Sequence, residues 1–378
     1  MTVFTYFEPL SAGHCAYWAQ MVLSAAARDS RISRVQLQTS AKLADRLADV
    51  ISETKLDLTI LSDEQVSAFT DGSLLGRGRA QWSHARDILT QQGGRVFLPF
   101  FDHAIYGSIL DRRPVNGKIS GIIFRPPNDF GYAPTLKRQA DALRRWGTYI
   151  AARRPGLGPL FTLDEGAAKA SGARLRKLVF LADPAPDTKI FNNTQVIPRH
   201  DGRRWFLVFG ALAERKGVFQ LLEAARRLSP QAASRIGLRF VGKLDPADSV
   251  DFITQLETLK RTHPALALEL DNRFVSDDEL TCEISACDVV LAPYQNHIGS
   301  SGVVLWAAAA GKRLVCQNTG AMGHQVAEHK LGLGIDCTDP DTLSRALVAD
   351  IAQPNARTLL ATHTAAVFQN TILKGCLQ

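Results

Sequence analysis

Residues 289–317 read VVLAPYQNHIGSSGVVLWAAAAGKRLVCQ, and their reading decides the fold. A short apolar run (289–294) passes through Pro293 into a polar, glycine-bearing loop. A run of small and apolar residues follows (303–311), then a second short apolar run (313–317). Strand, loop, helix, strand is the unit of a parallel sheet, because a chain returning parallel to its first strand needs a long crossover, usually a helix. Strands covered on both faces lose the polar alternation of half-exposed ones, which accounts for the unbroken apolar VVLA and RLVC.

The same grammar repeats outward from this stretch. Towards the N-terminus stand the strand candidates WFLVFG (205–210), LRFVG (238–242) and LALEL (266–270), each followed by a helical pattern: 217–228, 248–260 and 277–286. Towards the C-terminus GLGIDC (332–337) leads into PDTLSRALVADI (340–351). The first half has strand candidates at 3–7, 35–39, 56–61, 95–100, 119–124, 159–163 and 177–181, a helix from about Ala16 to Ala27, and longer irregular insertions. ADPAPDTKIFNN (182–193) has no apolar period and reads as a linker.

With 378 residues, 46% of them apolar, the chain is long enough for two domains and too long for a small binding module. No stretch approaches the roughly 18 to 20 apolar residues that cross a bilayer, and MTVFTYFEPLSAGH lacks a basic flank and cleavage site, so the expectation is a cytoplasmic protein. Its six cysteines form no CxxC pair and are read as small buried apolar residues. The net charge of +7 comes from the first half, where residues 112–177 hold 14 Lys and Arg against 4 Asp and Glu. The histidines and carboxylates show no metal-ligand spacing, so no metal is expected.

Two strand-to-helix turns carry chemistry. In FGALAERKGVF the strand ends at Gly210, a polar loop presents Arg215 and Lys216, and a helix opens at Gly217. In HIGSSGVV, Gly299, Ser300, Ser301, Gly302 and Val303 lead straight into a helix. Exposed amides at a helix start favour an anion, and a lysine adds a point charge, so the pair suits a diphosphate. A solvated loop and an ordinary serine N-cap are the plain alternatives.

In this order and spacing the two turns resemble the C-terminal half of family-4-like GT-B glycosyltransferases. The landmarks are Gly210, Lys216–Gly217 and Leu221–Ala224; then Phe240-Val241-Gly242; then Val275-Ser276-Asp277-Asp278-Glu279-Leu280; then Pro293, Gly299, Ala307–Lys312 and Gly320. They cover about residues 190 to 350. The sequence departs from the pattern at Ile298 and Trp306, where retaining members carry two glutamates, and at Ala211, where an arginine is usual and for which Arg215 could substitute.

The resemblance implies an α/β protein of the GT-B fold, two Rossmann-like domains whose parallel sheets face a central cleft. Residues 1–187 would bind the acceptor, 188–355 the nucleotide-sugar donor, and 356–378 would form a helix packing back on the first domain. Donor contacts are expected from Gly210, Arg215, Lys216, Gly242, Val275, Gly299, Ser300, Ser301, Gly302 and Val303. Ligands lie beyond the carboxyl ends of parallel strands, which singles out Gly13 and Arg125 for the acceptor and Asp102, His103 and His14 for proton transfer.

The implied function is transfer of a sugar from a nucleoside diphosphate sugar, of UDP or GDP type and a co-substrate rather than a cofactor, to a glycan, lipid-linked or small-molecule hydroxyl. A nucleotide-sugar epimerase, or a GT-B protein that binds without turnover, would share the fold. Nucleic acid is not an expected partner. The basic stretch PTLKRQADALRRWGTYIAARR (134–154) interleaves arginines with Trp146, Tyr149 and Ile150, a pattern that suits peripheral contact with an anionic membrane at the inner face.

Overall fold

A computed structural model of the chain describes residues 2–111, 113–126, 146–171, 178–192, 194 and 201–378. It divides into two compact units, residues 1–183 with 365–378, and residues 184–364.

The first unit is built on seven strands: β1 (Thr2–Glu8), β2 (Ile32–Thr39), β3 (Asp57–Ile60), β4 (Arg95–Leu98), β5 (Lys118–Ile122), β6 (Leu157–Thr162) and β7 (Leu178–Phe180). Their order is β3-β2-β1-β4-β5-β6-β7, and every pairing is parallel. The second unit repeats the plan with β8 (Arg204–Phe209), β9 (Ile236–Val241), β10 (Ala267–Asp271), β11 (Val289–Ala292), β12 (Arg313–Gln317) and β13 (Gly332–Ile335), in the order β10-β9-β8-β11-β12-β13. These pairings too are parallel. In each sheet the winding direction reverses once, between β1 and β4 and between β8 and β11, and such a reversal opens a crevice at the carboxyl ends of the two strands.

Both faces of each sheet are covered. Along β8, Phe206 and Val208 enter one apolar cluster while Leu207 and Phe209 enter the cluster on the other side. Along β1, Phe4 and Tyr6 face one cluster and Phe7 the other. With a side-chain period of two, both sets must be apolar, hence the unbroken runs.

Several boundaries differ from the sequence reading. The units part between Asp183 and Pro184, not at 187/188, because part of the linker forms the helix Lys189–Asn192, whose Phe191 packs edge-on against Trp306, 6.0 Å between centroids. The second unit runs to Thr364 rather than 355, since Leu359 of the helix Arg357–Thr362 is buried in its core. The helix Ala365–Leu377 belongs to the first unit: Phe368, Ile372, Leu373 and Cys376 line one face and are buried with Trp18 and Phe97. The insertions of the first half include two helices, Asp63–Thr70 and Leu74–Gln92. Among the cysteines, Cys282 is exposed and Cys15 half-buried, while Cys287, Cys316, Cys337 and Cys376 are buried. No helix among the described residues is long and apolar enough to cross a membrane.

Of the basic stretch 134–154, residues 134–145 lie outside the described residues. Of its apolar positions, Trp146 (56%) and Ile150 (37%) are exposed, and the Arg154 guanidinium donates to Ile109 O at 2.6 Å.

Candidate functional site

In the second unit the loops after β8 and β11 meet because glycines let them. Gly217 has φ 75°, and a Cβ there would stand 1.9 Å from Pro293 O. Gly242, at the end of β9, has φ 134° and backs onto Gly210 O at the same separation. Only glycine fits such close approach at positive φ. The chain from Glu214 to Lys216 makes one 3₁₀ turn, Gly217 caps the helix Val218–Arg226, and Gln295 N–H donates to Arg215 O at 2.9 Å.

This packing lays Lys216 Nζ over the Tyr294 ring, 3.8 Å from its centroid, and Nζ also donates to the Tyr294 hydroxyl. Tyr294 Oη in turn shares a hydrogen bond with Ser301 Oγ at 3.0 Å. Burial first, then the charge of Arg215, pulls the Lys216 ammonium down to about 7. Among the described residues no carboxylate pairs with Lys216. A largely buried cation without a counter-charge, next to a second cation and a helix start, is a place of positive potential poised for an anion.

The turn facing it is held firmly. Ser301 Oγ accepts the Val303 N–H at 3.3 Å, so that amide is already engaged. His297 Nε2–H donates to Ser300 O at 3.1 Å, and Ala321 N–H donates to Ile298 O at 3.0 Å. Gln317 Nε2 reaches His297 O and, at 3.1 Å, Thr319 O, tying the end of β12 to the same loop. Gly299, Ser300, Ser301 and Gly302 are half-buried, whereas Gly210 and Arg215 are exposed. Val275 is half-buried after β10, beside Phe274, which is 84% exposed. Lys216, Ser301 and Gly217 were legible as a strand-to-helix pair, but Tyr294, which joins them, was not.

In the first unit the carboxyl ends of β1, β4 and β5 carry the predicted residues on a row of rings. His14 stacks on Trp18 (5.5 Å), Trp18 on Phe124 (5.8 Å), Phe124 on Phe100 (5.4 Å), and His103 meets Phe100 edge-on (4.9 Å). His14 and His103 thus stand at opposite ends of one aromatic row.

Their chemistry differs. Asp102 Oδ2 accepts the Phe124 N–H at 2.9 Å and Oδ1 accepts the Arg125 N–H at 3.0 Å. Each oxygen thus accepts one N–H and helps to hold the loop after β5. Burial pushes its carboxyl up to about 6 despite those two N–H groups. His103 is held down at about 4 by burial and by the charges of Arg77 and Arg125, leaving a neutral, weakly basic ring. His14 is exposed, follows Gly13 (φ 64°), and sits just before the helix Cys15–Arg28. Beside it lies Asp183, which accepts the Trp18 Nε1–H at 3.1 Å. Burial raises the Asp183 carboxyl to about 6, with the His14 charge pulling the other way. Asp183 lies in the stretch read as linker, so nothing local marked it.

Glu8, at the end of β1, also escaped the sequence reading. It is 2% exposed, accepts the Leu10 N–H at 2.8 Å, and burial pushes its carboxyl up to about 7. Between the ordinary carboxyl value of 4.5 and about 7 the folded protein binds a proton at Glu8 that the unfolded chain has released, so stability falls as pH rises across that window. Glu8→Gln removes the charge and keeps an acceptor for Leu10. Its melting temperature is expected to exceed wild type by a few degrees, of order one to two kcal/mol, at pH 8, with the gain gone at pH 4. Parallel melts across that pH range check it.

Residues 190–362 match the family model described as glycosyl transferases group 1. No curated protein matches the chain. Among solved structures it is similar to the α,α-trehalose 6-phosphate synthase of Burkholderia multivorans, at TM-score 0.68 and 12% identity, covering 99% of this chain and 95% of that one. The UDP-forming α,α-trehalose-phosphate synthase of Burkholderia xenovorans, in complex with glucose-6-phosphate, gives 0.66 at 10% identity over 100% of both chains. Anabaena HepE in complex with UDP gives 0.62 at 12% identity over 99% of both. At such identities the likeness is one of fold.

Proposed function

We propose that the chain, whose residues 190–362 match the family described as glycosyl transferases group 1, is a GT-B glycosyltransferase that moves a sugar from a nucleoside diphosphate sugar to a hydroxyl acceptor. The observation that carries the reading is the Lys216–Tyr294–Ser301 chain at the point where β8 and β11 part. The donor diphosphate lies between Lys216 and the turn Ser300–Gly302, with Lys216 and helix amides supplying the positive charge. UDP is the first nucleotide to try, because the HepE relative was solved with it. The nucleotide sugar serves as co-substrate, with no bound cofactor.

For the acceptor, His14 takes the hydroxyl proton and Asp183 steadies the resulting imidazolium, as a histidine beside a buried carboxylate can near neutral pH. Arg125 and Gly13 border the same end of the sheet. Incubation with UDP and GDP sugars and a panel of sugar acceptors is the test. Release of free nucleoside diphosphate that depends on the acceptor supports the reading, and no release with any donor opposes it.

A second reading, nucleotide binding without turnover, is favoured by one observation. Ile298 and Trp306, the latter packed on Phe191, carry apolar side chains, so neither position offers a carboxylate. Nucleotide binding with no turnover on any acceptor would select it.

Peripheral contact with an anionic membrane is also proposed, supported by the exposed Trp146, Ile150 and Arg153. Basic contacts of about 1 kcal/mol each are screened by salt. Sedimentation with anionic but not neutral liposomes, lost at high salt, is the expected result.

A further inference from the structure

Two buried polar atoms near His103 have no partner. The helices Leu74–Gln92 and Ala104–Leu110 cross closely at glycines: a Cβ on Gly78 would stand 2.2 Å from His103 O, and one on Gly107 2.2 Å from Gly78 O. This crossing sets Arg77, the residue before Gly78, beside His103. Arg77 Nη1 donates to Thr70 O at 3.1 Å, which fixes the side chain, yet its Nε is buried with no acceptor. His103 Nδ1 is likewise buried and unpartnered. Arg125 is exposed on the other side, its backbone held by Asp102, and among the described residues no salt bridge engages the guanidinium of Arg77 or Arg125.

A buried donor without an acceptor is costly, and native structures rarely leave one without a reason. We propose that Arg77, His103 and Arg125 form an oxyanion subsite at the carboxyl ends of β4 and β5, taking the phosphate or carboxylate of an acidic acceptor sugar. The oxyanion accepts from Arg77 Nε and from the His103 ring, and Arg125 closes the charge balance. Burial first, then the charges of Arg77 and Arg125, keeps the His103 ring neutral, so it retains one N–H to donate. The Phe100 and Phe124 rings, stacked at 5.4 Å beside His103, offer an apolar face to the body of the sugar.

The inference rests on the transferase reading only in calling the ligand an acceptor; capture of the anion does not require transfer. The test is calorimetric titration of the full chain, without nucleotide, with glucose 6-phosphate, glucuronate, glucose and inorganic phosphate. An acidic sugar is expected to bind at least about tenfold more tightly than glucose, the scale of one charge-assisted hydrogen bond. Comparison of the two acidic sugars tells phosphate from carboxylate. Arg77→Gln should abolish the preference while UDP affinity and melting temperature stay as in wild type, and Arg77→Lys, which keeps a charge but lacks the fork, should restore only part of it. Equal binding of acidic and neutral sugars, or a preference unchanged in folded Arg77→Gln, overturns the proposal. Acidic-sugar preference in a protein that binds none of UDP, GDP, ADP and TDP would sink the transferase reading and leave this subsite standing.

Discussion

Replacing His14 with alanine lowers turnover by about 10²- to 10⁴-fold, the usual cost of losing a general base, with donor affinity unchanged. Three features favour this histidine. Its ring is exposed and stacks on Trp18; Trp18 is fixed by Phe124 on its face and by Asp183 at Nε1; and Asp183 supplies the negative charge that an imidazolium needs. His103, by contrast, is held down at about 4, and a base that weak gives little driving force to take a hydroxyl proton. Asp102→Ala is expected to act differently from His14→Ala, by freeing the Phe124 and Arg125 amides and loosening the loop, and so to lower melting temperature along with activity. Steady-state turnover with saturating donor, measured beside nucleotide affinity and melting temperature for His14→Ala, Asp102→Ala and His103→Ala, separates these outcomes. Near-normal turnover in His14→Ala would mean that the proton goes elsewhere, the donor phosphate being the first candidate.

Lys216→Ala should weaken nucleoside diphosphate binding by about 1.5 to 3 kcal/mol, roughly 10- to 150-fold. The effect also has a pH signature. In the free protein the ammonium is held down at about 7; a bound diphosphate restores it towards its ordinary value, so above about pH 7 binding must take up a proton. Affinity should therefore fall by up to about tenfold per pH unit as pH rises from 7 towards 9. Lys216→Ala should lose most of that slope. An unaltered slope in the variant would show that Lys216 does not touch the anion.

Much of the fold was open to sequence reading, for a physical reason: strands buried on both faces leave short apolar runs that stand out between polar turns. The thirteen strands among the described residues all fall on short apolar runs, including β3, whose Leu58 and Ile60 are exposed. What stayed hidden was helix structure without a clean stripe. LLGRGRAQ, at the start of the helix Leu74–Gln92, looks irregular because Gly78 serves the crossing with Gly107 rather than helix propensity. The linker misled in the other direction, since its Phe191 docks on Trp306 and draws residues from 184 onward into the second unit.

The candidate site was legible only where one turn carries its own chemistry, as at Lys216 and Ser301. Tyr294 looked like the end of a strand, Glu8 like part of another, and Asp183 like linker. Tyr294 and Asp183 acquire partners from distant parts of the chain, 78 residues away for Tyr294 with Lys216 and 165 for Asp183 with Trp18, while Glu8 is set apart by its burial. No local pattern encodes that.

The central claim, that the second unit holds a nucleoside diphosphate at Lys216 and Ser301, is tested most directly by calorimetric titration with UDP, GDP, ADP and TDP, each against wild type and Lys216→Ala. One nucleotide should bind wild type with Kd below about 1 mM and the variant at least about tenfold more weakly. If none binds wild type at millimolar concentration, or if the variant binds as well as wild type, the account is contradicted.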